Sequence, residues 1–94
     1  MLIFLVLLLS MTRSEMVISY MKSIGAIAFE EYEGLNRKKR LVLTYLHHRD
    51  ICLKVTRTEL IIEHKIQKRV LYSGTIPPSL PKFMDLLDWT KILL

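Results

Sequence analysis

The residues that could do chemistry in this chain are few. His47, His48, Cys52 and His64 are its only soft metal ligands. Neighbouring side chains on a strand point to opposite faces, so His47 and His48 do not easily turn toward one metal, and the spacing of the four matches no zinc pattern. Cys52 is the only cysteine, so no internal disulfide can form. No base stands beside it in the sequence to make it a nucleophile. On a strand it reads as a small buried hydrophobe. The nine carboxylates include no pair set apart from the acidic run Glu30, Glu31 and Glu33 or from a helix surface, and a general acid–base pair needs two groups held together in a cleft. There is no Gly-rich phosphate loop, no Gly-x-Ser-x-Gly and no His-Glu-x-x-His. The expectation is a protein without catalytic residues, metal or cofactor.

Cations are the more informative chemistry. The formal net charge is +5, and it is unevenly spread. Residues 35–74 hold ten Lys and Arg against Asp50, Glu59 and Glu63, a net +7, whereas residues 1–34 are net acidic and 75–94 are balanced. Arg37, Lys38, Lys39 and Arg40 form one cluster, Lys65, Lys68 and Arg69 a second, and Arg49, Lys54 and Arg57 lie between. Concentrated positive charge favours polyanions, either nucleic acid or an anionic membrane face. Cations on turns and on one sheet face can contact successive phosphates. Tyr45 and Tyr72 are candidate stacking rings, although both alternate with core positions. The plainer account of the same charges is a solvated face.

The elements that must position these groups follow from apolar periodicity. Leu41–Leu46, Ile51–Thr56 and Leu60–Ile66 alternate with period two and are rich in β-branched and aromatic residues, which predicts strands. The Ile51/Leu53/Val55 side should pack inward while Lys54 and Thr56 face water. His48-Arg49-Asp50 and Arg57-Thr58-Glu59 are short enough for hairpin turns, and Val70–Tyr72 is a candidate fourth strand. The fold class expected is α+β: an N-terminal helix, a three- or four-stranded antiparallel meander over about 39–73, and a C-terminal helix. A mostly α, helix-turn-helix-like arrangement is the alternative. In it Thr56-x-x-Glu59 is a capping box, and Ile62, Ile66 and Val70 form a stripe on a recognition helix over 58–72 that carries Lys65, Lys68 and Arg69.

Residues 14–29 carry a helical stripe of Val17, Met21, Ile24 and Ala28, with Tyr20 and Ile27 flanking and Ser14 as candidate N-cap. Gly25 alternatively ends that helix and lets 26–32 begin a strand in which Ile27 and Phe29 alternate with Ala26 and Ala28. The acidic run could pair with Arg37–Arg40 across a turn at Gly34-Leu35-Asn36. Near the C-terminus Pro77, Pro78 and Pro81 interrupt regular structure. Ser79 then caps a helix over about 80–93, with Phe83, Leu86, Leu87, Thr90 and Leu94 as its stripe and Trp89 as its largest burial opportunity.

Residues 1–9 are apolar without a break. They lack the basic n-region and small-residue cleavage site of a signal peptide. A helix over 1–12 would span only about 18 Å before Arg13, too little to cross a bilayer. The domain expectation is an apolar segment 1–10, which is buried, at an interface or touching a membrane, followed by one basic α+β domain over 11–94. Met11 is an alternative start. With 51% hydrophobic residues, the chain either packs a rich core or leaves apolar surface for a partner. The function expected is a non-enzymatic, self-associating basic binding protein with nucleic acid as leading partner. The alternative is a structural or accessory subunit of a protein or membrane-associated assembly, joined through residues 1–29. A cytoplasmic location is the default expectation, with membrane association kept open.

Overall fold

The computed structural model describes residues 11–33 and 41–94. In chain order the elements are α1 (Arg13–Ser23), β1 (Ile27–Glu33), β2 (Leu41–His48), β3 (Ile51–Val55), β4 (Glu59–His64), β5 (Val70–Thr75) and α2 (Leu80–Leu93). The five strands form one antiparallel sheet in sequence order, a pure meander. The α+β class therefore holds with five strands rather than three or four. The additional strand is β1, which begins where Gly25 ends the helix. The apolar segment 1–10, the Gly34-Leu35-Asn36 turn, the Arg37–Arg40 cluster and its pairing with the acidic run lie outside the described residues.

Local chemistry explains the boundaries. Thr12, not Ser14, caps α1: its hydroxyl accepts from the Glu15 amide at 3.2 Å, and Glu15 in the first turn complements the helix dipole. At the other end the Ala26 amide donates to Met21 O at 2.9 Å and the Gly25 amide to Lys22 O at 3.1 Å. This is a Schellman closure, which requires a left-handed residue just past the helix. Gly25 supplies it at φ 98°. Ala28 consequently belongs to a strand, and Ile24, expected on the buried stripe, is 39% exposed.

The helix-turn-helix alternative fails over 58–72. Thr56 organises a β-turn instead of a helix: its hydroxyl accepts from the Glu59 amide at 3.0 Å while its own amide donates to Glu59 O at 3.0 Å. Beyond it burial follows period two, with Leu60 and Ile62 fully buried, whereas Ile66 of the supposed helical stripe is 80% exposed. The β4–β5 loop closes through His64 N–H to Arg69 O (2.8 Å) and Lys68 N–H to His64 O (2.9 Å), with Lys68 in the left-handed region at φ 59°. A register shift at Ile62/Glu63 accommodates an extra residue in β5, and Leu71 is buried there. Between β2 and β3 a two-residue turn places Arg49 at φ 51°.

Both helices cover one sheet face. Val17 and Met21 from α1 and Phe83 and Leu87 from α2 pack with Leu46, Ile51, Leu53, Val55, Leu60, Ile62 and Leu71 in a single core. Tyr20 meets Phe83 edge-on with centroids 5.9 Å apart. Ser79 caps α2 as expected. Trp89, by contrast, is half exposed, because the inward positions of the helix are filled by Phe83, Leu87 and Thr90. Phe83→Ala should lower unfolding free energy by about 3–5 kcal/mol. Ile92→Ala, on the exposed side of the same helix, should change it by about 0.5 kcal/mol or less. Urea unfolding of the two variants measures the difference.

Candidate functional site: the uncovered sheet face

Alternation along the strands dictates what the second face carries. Cross-strand register aligns one row of Ile27, His47, Cys52, Glu63 and Val70, and beside it a row of Phe29, Tyr45, Lys54, Ile61 and Ser73. Neither helix contributes to this side. An open depression of about 450 Å³ lies here, lined by Phe29, Tyr45, His47, Cys52, Lys54, Glu63 and Lys68. Phe29 and His47 meet edge-on at 5.5 Å between centroids, and Phe29 and Ile27 are more than half exposed.

Two polar pairs sit among these rings. Lys54 Nζ donates to Glu63 Oε1 at 3.0 Å. This bond holds the Lys54 ammonium above its ordinary pKa. Cys52 Sγ lies 3.8 Å from His47 Nε2. Burial, aided by the Glu63 charge, pushes the thiol above its ordinary value, against opposing pulls from Lys54, Lys68 and Lys65. A thiol kept protonated is a poor nucleophile and a poor metal ligand. Among the described residues no three His, Cys, Asp or Glu side chains gather as a metal group. His48 takes the opposite face, its Nε2 3.1 Å from Ile24 O, and the His64 Nδ1 accepts from the Gln67 amide. The two adjacent histidines thus diverge as alternation requires.

The sequence-predicted cations distribute unequally. Lys54 and Lys68 reach the depression. Lys65 lies beside the β2–β3 turn that carries Arg49, its amide donating to Asp50 O at 2.7 Å. Arg69 turns toward α2, its Nη2 donating to Leu93 O at 3.0 Å, where a cation complements the helix C-terminus. Arg57 lies in the β3–β4 turn at the other end of the sheet. Arg37, Lys38, Lys39 and Arg40 lie outside the described residues. Of the two candidate stacking rings, Tyr45 is on the open face, whereas Tyr72 packs against the core and donates its hydroxyl to Thr75 O at 2.6 Å. Phe29 and His47 were not legible as partners of Tyr45. Their pairing depends on the β1–β2 register, which the expected turn at Gly34-Leu35-Asn36 does not fix. Compared with protein-family models, curated proteins and solved structures, the chain matches none, and the side chains on this face carry the functional argument.

Both raised pKa values act on stability in one direction. A group whose pKa is higher folded than unfolded favours folding fully below its unfolded value and loses that contribution as pH rises through the folded one. Unfolding free energy should therefore decline from about pH 9.0 as Cys52 is forced to ionise, and further above about pH 10.5 as Lys54 deprotonates. Cys52→Ala should remove the earlier part of the decline and Lys54→Met the later part, measured as urea midpoints against pH.

Proposed function

We propose that this chain is a non-catalytic binding module that takes up a single nucleic-acid strand on its uncovered sheet face. The observation that carries the proposal is the grouping of the Phe29, Tyr45 and His47 rings with Lys54 and Lys68 on a face both helices leave free. Sheet-borne aromatic rings offer bases a flat partner regardless of sequence, and cations at the rim hold the phosphates. Lys68 is the stronger rim contact, since Lys54 is engaged by Glu63. Lys65 and Arg49 extend the positive field at that end of the sheet. A single strand fits this surface better than a duplex. Major-groove readout needs a helix or ribbon that can enter the groove, and α1 and α2 both pack their apolar sides on the core. Self-association is the second reading, favoured by the exposed Ile27 beside Phe29; it would place a second copy over the same face and compete with the nucleic acid.

Titration of the full chain with a labelled mixed-sequence single strand and a duplex tests the proposal. Binding should favour the single strand and weaken with salt. Phe29→Ala and Tyr45→Ala should each cost about 1–3 kcal/mol of affinity, and Lys68→Ala should reduce the salt slope by about 0.7. Absence of binding at low salt would overturn the nucleic-acid proposal, and concentration-dependent dimerisation lost in Ile27→Asp would put the second copy in its place.

A further inference from the structure

We propose that one end of the molecule, which adjoins the sheet face and shares Lys68 with its rim, is built to dock on an anionic lipid surface through Ile66 and Ile92. Three segments converge there. The β2–β3 turn and the β4–β5 loop are joined by the Lys65 amide donating to Asp50 O at 2.7 Å. The C-terminal turn of α2 is tied to the same loop by Arg69 Nη2 donating to Leu93 O at 3.0 Å. At this end stand Ile66 and Ile92, each 80% exposed and the most exposed large hydrophobic side chains among the described residues. Each directly follows a lysine, Lys65 before Ile66 and Lys91 before Ile92. Arg49 and Lys68 are exposed on the adjoining turns. The described carboxylates near these cations are Asp50, Asp88, which is 3.8 Å from Lys91, and Glu63, which lines the depression with Lys68 and is paired with Lys54.

Aliphatic tips beside cations suit the boundary between headgroups and acyl chains, where a side chain inserts its apolar part and leaves its charge among anionic phosphates. Isolated exposed aliphatics are ordinary; here two of them share one extremity with a positive excess. A nucleic acid would engage the cations but leave both isoleucines in water. A bilayer takes both together and needs no matching concavity. The contact is peripheral, because among the described residues no helix is long and apolar enough to cross a membrane.

The test is co-sedimentation of the full chain with vesicles of phosphatidylcholine, with and without phosphatidylserine. Binding should require phosphatidylserine, weaken with salt and fall roughly tenfold or more in the charge-neutral double variant Ile66→Ser/Ile92→Ser. Circular dichroism, the thermal midpoint and oligonucleotide binding of that variant should match the parent, which separates this surface from the sheet face. Equal vesicle binding by the double variant would assign membrane contact elsewhere, as to residues 1–10, and overturn the proposal. Equal binding to neutral vesicles, or none to either, would also overturn it.

Discussion

One-sided burial is the constraint on which the structure depends. A five-stranded sheet has two faces, and the two helices supply apolar cover for one. Leu46, Leu53, Leu60 and Ile62 reach full burial only because Val17, Met21 and Phe83 lie over them. The connections enforce this: the Schellman closure at Gly25 turns the chain from α1 into β1, and the proline-rich segment after β5 returns α2 to the same side. A chain of this size has little apolar area in reserve, so the core could not be divided between two faces without weakening both.

The second face follows from that choice. Alternation places on it the side chains between the core positions, and these are not a uniform polar set. Phe29, Tyr45, His47 and Ile61 are apolar or amphipathic, while Lys54 and Glu63 bring one ion pair into their midst. Glu63 retains only 14% side-chain exposure, so removing Lys54 would leave a largely buried carboxylate without its ion-pair partner. Cys52, although on this face, is covered by its neighbours and kept protonated.

The edges of the sheet are treated differently from its face. β1 forms one edge of the sheet and exposes Glu30, a charge of the kind that discourages pairing with a second copy. β5 is irregular at its register shift, and Tyr72 folds over Gly74, where an added Cβ would lie 3.0 Å from the hydroxyl. Apolar exposure is nonetheless present on both edge strands, at Ile27 and Phe29 of β1 and at Val70 of β5. It appears on the uncovered face and at the end where Ile66 and Ile92 stand.

Local pattern favoured strands over 41–64 with a helical alternative beside them, and by itself determined the inward set Ile51, Leu53 and Val55 and the C-terminal helix with its Ser79 cap. Each rests on periodicity or on a cap within a few residues. Tertiary structure alone decided the rest. Thr56-x-x-Glu59 satisfies the same local chemistry as a capping box or as a hairpin turn, and only the burial of Leu60 and Ile62 against the helices selects the turn. Trp89 could have filled the core by size, but Phe83 and Leu87 already occupied the inward positions. Phe29 and His47 became neighbours through the β1–β2 register, and Lys65 met Asp50 where the β3–β4 pairing runs on past Ile51 and His64. These contacts join residues distant in sequence, and composition and spacing carry no record of such distances.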